Sequence, residues 1–133
     1  MERQKLLIAT TNEGKYKEIV HFLGDLPFQL VSLKNLEQSI TPPEESDDTF
    51  EGNALLKARY YAQKTGLLTL ADDGGICVDA LGGWPGVESA RIGATKEQRI
   101  QLVLDRMKNL TSPDRDAAFR VVMAVSDSNQ QTI

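Results

Sequence analysis

The chain has 133 residues, 41% hydrophobic and 26% charged, enough for one ordinary domain with its own core. Its 15 Lys and Arg against 19 Asp and Glu leave a formal net charge of −4, which argues against a general nucleic-acid binder needing a basic face. One cysteine, Cys77, excludes an internal disulfide, and with no signal-peptide core or long apolar span the expectation is a cytoplasmic protein that engages neither membrane nor nucleic-acid polymer.

KLLIATT, residues 5–11, has the length and β-branching of a buried strand. The period then changes. Tyr16, Ile19, Val20 and Leu23 recur at helical intervals, predicting a helix from Glu13 to Leu23, capped by Thr11 or Asn12 and ended by Gly24 and Pro27. Lys15 falls in its first turn, where the helix dipole prefers an acid. That mismatch has a purpose if Lys15 and the free N–H groups of the turn face an anion, phosphate being the obvious one. FQLVSL, 28–33, reads as a second strand, and the polar SITPPEESDD, 39–48, as a connection. Asp48 and Glu51 suit a capping box for a helix from Thr49 to Lys64, with Phe50, Ala54, Ala58 and Tyr61 on one side and Gly66 as its C-cap.

LLTLA, 67–71, reads as an interior strand ending abruptly at Asp72, Asp73, Gly74 and Gly75, and ICVDAL as a further strand before the loop GGWPG. Thr95 and Gln98 cap a third helix bearing Ile100, Val103, Leu104 and Met107. AAFRVVMAV, 117–125, is a strong strand signal, followed by a turn at SDSN and, in QQTI, the opening of another strand. Stopping there would leave an exposed sheet edge, so a truncated chain is expected. The order β, α, β, α, β, β, α, β predicts an α/β fold with a mixed central sheet flanked by helices.

Chemistry concentrates in ADDGG, 71–75. Paired carboxylates at the carboxyl end of a strand sit where open α/β folds place ligands, and they either hold a divalent ion or divide the roles of ligand and base. An ordinary acidic turn is the alternative. Of Glu44, Glu45, Asp47 and Asp48, the helix start explains Asp48 and solvation the rest; yet magnesium needs few protein oxygens, and one glutamate here can complete a site opened by Asp73. Lys15 and Lys57 each lie early in a helix, where they either neutralise a polyphosphate or point to solvent. TTNEGK lacks the glycines of a Walker loop, which excludes a P-loop ATPase. His21 lies well inside the first helix, giving no hydrolase dyad; Cys77 reads as a small core residue and Trp84 as structural. Arg91 suits the same cleft or the surface.

TTNEGKYKEI at 10–19, TFEGNALLKA at 49–58, LADDGG at 70–75 and ALGGWPGVESAR at 80–91 appear in the order found in the inosine triphosphate pyrophosphatase family, and the chain resembles it from Lys5 to Val125. The resemblance implies a two-lobed α/β enzyme with its cleft between the lobes, a homodimer dependent on Mg2+. It would hydrolyse ITP, dITP or XTP to the nucleoside monophosphate and pyrophosphate, cleansing the nucleotide pool. Residues 1–133 would form the N-terminal and central portion of one such domain, the base-recognising C-terminal portion being absent. The family pattern carries over Thr10, Thr11, Asn12, Glu13, Gly14 and Lys15 as a phosphate-binding segment, with Lys57 and Gly74 also facing substrate. It makes Glu45, Asp72 and Asp73 the metal ligands and Asp73 the base as well. Two positions depart from it: Gly74 stands where the family has Ser, and Gly52 where it has Glu. A magnesium phosphatase with an aspartate nucleophile and a noncatalytic nucleotide-binding protein are the competing readings; the released product, pyrophosphate, inorganic phosphate or neither, separates the three.

Overall fold

A computed structural model describes residues 3–111, 114–129 and 131. The N-terminal apolar run forms β1 (Gln4–Ile8), exposed at its first residues and buried at Leu6, Leu7 and Ile8. α1 (Glu13–Leu23) follows with the bounds its periodicity predicts. Asn12, not Thr11, is the cap: its extended backbone turns the side chain to accept the Lys15 N–H at 3.1 Å. Gly24 closes the helix in a right-handed conformation, so its role there does not draw on left-handed freedom. β2 (Phe28–Ser32) stops one residue short of the expected strand, because Leu33–Asn35 form a 3-10 turn held by the Asn35 side chain.

β1 pairs in parallel with β2 and with β3 (Leu68–Val78), and β4 (Ala117–Ser126) completes a sheet of order β2-β1-β3-β4. Leu6 and Ile8 pack with Ile19 of α1 and Leu70 of β3, while Leu7, pointing to the other face, is fully buried. Both faces of β1 are therefore covered, which is why it reads as a continuous apolar run. Each such aliphatic side chain contributes roughly 1.5–3 kcal/mol by leaving water.

α2 (Phe50–Thr65) buries Asn53, Ala54, Ala58, Tyr61 and Ala62 and ends at Gly66, whose φ of 73° is the left-handed cap expected of it. Its start differs from expectation. Thr49 is the N-cap, accepting the Gly52 N–H at 3.0 Å, and the acid that supports it is Asp47, which accepts from the Thr49 N–H at 2.9 Å and hydroxyl at 2.8 Å. An Asp two residues ahead of the cap reaches that N–H by an Asx turn, a geometry the Asp48/Glu51 capping box does not contain.

The larger correction concerns ADDGG. No turn divides LLTLA from ICV: β3 runs unbroken from Leu68 to Val78 through both aspartates and both glycines, and only Asp79–Leu81 leave the strand, as a 3-10 turn. The glycines serve close approach. A Cβ on Gly74 would lie 2.6 Å from the Arg120 carbonyl oxygen, and one on Gly75 2.4 Å from that of Gly86.

Two compact units make up the chain, Met1–Asp72 with Met123–Ile133, and Asp73–Val122. The core of the second gathers Val78, Val103 and Met107, with Trp84 packed against them and Arg106 stacked 4.8 Å from its ring. Trp84 is structural, as the sequence suggested, and Cys77 is buried. α3 (Lys96–Met107) has the expected Thr95/Gln98 capping box, but only half of its apolar stripe is covered: Val103 and Met107 are buried, whereas Ile100 and Leu104 are about half exposed. SDSN makes its turn through Asp127, whose carboxylate accepts the N–H groups of Asn129 and Gln131. Three positions of the expected QQTI strand, 130, 132 and 133, lie outside the described residues.

Candidate active site

The first unit carries two acid–lysine pairs. Lys15 reaches from the first turn of α1 to Asp72 on β3, Nζ to Oδ2 at 2.8 Å, across 57 positions of sequence. Asp72 is 4% exposed. Its ionised carboxylate needs a partner at that depth, and Lys15 supplies it. Lys57, in the second turn of α2, meets Glu45 of the polar connection, again at 2.8 Å. Both lysines therefore face carboxylates, and Asp72 and Glu45, the acids of this unit expected as metal ligands, are each paired with a lysine instead.

The Thr10–Gly14 segment shapes the approach to Lys15. The Asn12 N–H donates to Thr10 Oγ1 at 3.1 Å while the Asn12 side chain caps α1. Thr11, Asn12, Glu13 and Gly14 are exposed, and Glu13 pairs with Lys34, a residue to which the sequence reading gave no role. Beside Thr10, Thr11 and Glu13 opens a cavity of about 580 Å³, walled by Tyr16, Leu33, Leu36 and Ile40 with Lys17 and Lys34. That volume suits a small-molecule ligand. Nothing in the linear spacing revealed it, since the rest of its wall comes from the end of β2, the 3-10 turn and the start of the polar connection, between Ser32 and Ile40.

Asp73 opens the second unit and is half-buried; consecutive positions on a strand alternate faces, so Asp72 and Asp73 suit divided roles. In the same unit the Ser89 hydroxyl accepts the Ile76 N–H at 3.1 Å and donates to the Gly86 carbonyl at 2.6 Å, tying the GGWPGVES loop onto β3. Arg91 is exposed and lies 3.9 Å from Glu88, and His21 stands on the exposed face of α1 against Phe22.

Two further residues escaped the sequence reading. Asp47 takes hydrogen bonds from the Thr49 N–H and hydroxyl, which hold its carboxyl below the usual range. Asn53, fully buried, binds the Asp47 backbone twice. A short polar side chain beside Gly52, in the first turn of α2 and on its apolar side with Ala54, was the available signal. Burial, followed by the proximity of Tyr60 and Glu45, pushes the Tyr61 hydroxyl up.

Among the described residues no three His, Cys, Asp or Glu side chains converge on one point. Hard carboxylate oxygens at Asp72 and Glu45 nevertheless fit magnesium, which takes one or two protein ligands and fills its shell with water and phosphate.

The first unit is thus an α/β body in which lysines of α1 and α2 meet an acid of β3 and one of the polar connection. The chain belongs to the Ham1 family, whose sequence model matches residues 6–133. It is 40% identical over 121 residues to a dITP/XTP pyrophosphatase of Dictyoglomus thermophilum, covering 90% of this chain and 59% of that one. With the Thermus thermophilus dITP/XTP pyrophosphatase it shares 44% identity over 124 residues, 92% of this chain and 59% of the relative. A HAM1 protein structure from Coxiella burnetii superposes with a TM-score of 0.85 at 36% identity, covering 98% of this chain and 68% of that chain. The fold is accordingly α/β with a mixed central sheet flanked by helices. The chain spans about three-fifths of the length of these curated relatives.

Proposed function

We propose that this chain provides the phosphate and metal side of a pyrophosphatase that hydrolyses ITP, dITP and XTP to the nucleoside monophosphate and pyrophosphate. The observation that carries this reading is the Lys15–Asp72 pair, which joins the segment after β1 to the acid of β3 within a chain of the Ham1 family. Lys15 and Lys57 neutralise oxygens of the polyphosphate, and Thr10 to Gly14 present N–H groups and hydroxyls to it. Asp73 orients water toward the α-phosphorus and takes its proton. Of Asp72, Asp73 and Glu45, the acids the resemblance makes metal ligands, one or two would hold Mg2+ directly and the others through its water, and the ion when bound supplies charge stabilisation to the phosphate oxygens. Gly74 brings backbone, without a hydroxyl, to the same segment. The proposal carries with it the two-lobed cleft, the homodimer and the cytoplasmic setting that the family resemblance implies.

The test reads pyrophosphate and inorganic phosphate from ITP, XTP, ATP and GTP, with and without magnesium. Asp73→Asn is expected to fold, as judged by circular dichroism, and to lose about 10²–10⁴-fold of magnesium-dependent turnover. Near-normal turnover in the folded variant would remove Asp73 from the reaction; inorganic phosphate as the product would favour the phosphatase.

A further inference from the structure

We infer that Asn53 is a positioning residue, one that sets Glu45 against Lys57 by holding the backbone of Asp47; the inference rests on the function proposed above. Asn53 is fully buried, and its amide pairs with both backbone polar groups of one residue of the acidic connection, Asp47. The Asp47 N–H donates to Asn53 Oδ1 at 2.9 Å, and Asn53 Nδ2 donates to the Asp47 carbonyl at 3.1 Å. This two-point pairing fixes both the position and the direction of the chain as it passes α2, because the oxygen and the NH2 of a carboxamide match the N–H and the C=O of one residue, donor to acceptor, twice.

Register does the rest. Lys57 lies four residues after Asn53, one turn along the same face of α2, and Glu45 lies two residues before Asp47. Pinning Asp47 to the Asn53 turn therefore delivers Glu45 to the Lys57 turn, where their side chains meet at 2.8 Å. Gly52 belongs to the same device. A Cβ there would fall 2.1 Å from Cγ of Asp47, so the missing side chain makes room for the carboxylate that caps Thr49. Asn53 fastens the Asp47 backbone and Gly52 admits its side chain.

The experiment compares the full chain with Asn53→Asp, Asn53→Ala, Glu45→Gln and the Asn53→Asp/Glu45→Gln double variant. Amide hydrogen exchange is followed over residues 44–48, and magnesium binding is titrated by calorimetry with inorganic triphosphate present. Asn53→Asp keeps the volume and the acceptor for Asp47 N–H but sets a carboxylate oxygen against the Asp47 carbonyl. It is expected to keep its helix content, to exchange at least tenfold faster at 44–48, and to bind magnesium as weakly as Glu45→Gln. The double variant should bind no more weakly than Glu45→Gln alone, since Asn53 acts through Glu45. Unchanged exchange at 44–48, or losses that simply add in the double variant, would overturn the inference. Should Asn53→Ala unfold, Asn53→Asp decides. Should the wild-type chain bind no magnesium, the proposed function falls, and exchange at 44–48 alone decides the role of Asn53.

Discussion

At the scale of single residues, the chemistry at several positions is set by what a neighbour leaves room for. Restoring the family's serine at position 74 illustrates this. Gly74→Ser would place Cβ 2.6 Å from the Arg120 carbonyl oxygen and 2.9 Å from Cγ2 of Val121, so β4 must move. The expected cost is about 1–3 kcal/mol, read as a lower urea midpoint at constant m value. No shift in midpoint would mean that β4 yields freely. Lys15 is constrained from the other direction. Lys15→Met removes the cation from beside Asp72, a carboxyl only 4% exposed. Binding of inosine triphosphate should weaken more than binding of the monophosphate, because more phosphate charge loses its partner. Equal losses in matched-salt titrations of the two ligands would point to damaged folding instead.

Among elements, α2 brings Asn53, Lys57 and Tyr61 together at successive turns. Tyr61, 2% exposed, has its hydroxyl pushed above the ordinary value near 10, first by burial. The folded state favours the neutral phenol, so its contribution is intact below the unfolded-state pKa and is lost as pH rises through the raised folded value. Tyr61→Phe is expected to flatten the decline of thermal midpoint above about pH 10 while leaving the midpoint at neutral pH within a few degrees. An unchanged alkaline slope would detach that decline from Tyr61. The helices were legible because caps and apolar intervals are local: Asn12, Thr95 with Gln98, and Gly66 all act within one turn of themselves. Lys15, Lys57, Glu45 and Asp72 were legible by resemblance, and the structure brings them together as two pairs. β3 was misread for a physical reason. Asp-Gly sequences favour turns in isolation, but Gly74 and Gly75 answer to Arg120, Gly86 and Ser89, contacts that lie 11 or more positions away. Asn53 stayed hidden for the same reason, its partner being a peptide group outside the helix.

For the molecule as a whole, exposure is uneven. β4 stands at the end of the strand order and shows Phe119, Val121 and Met123, alternate residues of one face, at 67%, 44% and 56% exposure. Monomeric proteins normally cover such a row. Val121→Lys should lower concentration-dependent light scattering of the isolated chain and its binding of a hydrophobic dye, without lowering the thermal midpoint. Scattering and dye binding that persist unchanged would show that this row of β4 is not what drives them.

The two acid–lysine pairs have a thermodynamic consequence for a ligand that arrives as a metal–polyphosphate. Before it comes, the charges of each pair cancel, so the pairs present no open field for it to follow. On the proposed reading the ligand would enter by exchange: Asp72 and Glu45 would give up their lysines to take the cation, and Lys15 and Lys57, so released, would meet the phosphates. Neither half of the exchange is favourable without the other, since metal alone strands two ammonium groups and phosphate alone strands two carboxylates. On the proposed reading, metal and polyphosphate therefore bind with mutual positive linkage, each raising the affinity of the other by the same factor. Two internal ion pairs would thus make the proposed site a coincidence detector, closed to either component by itself.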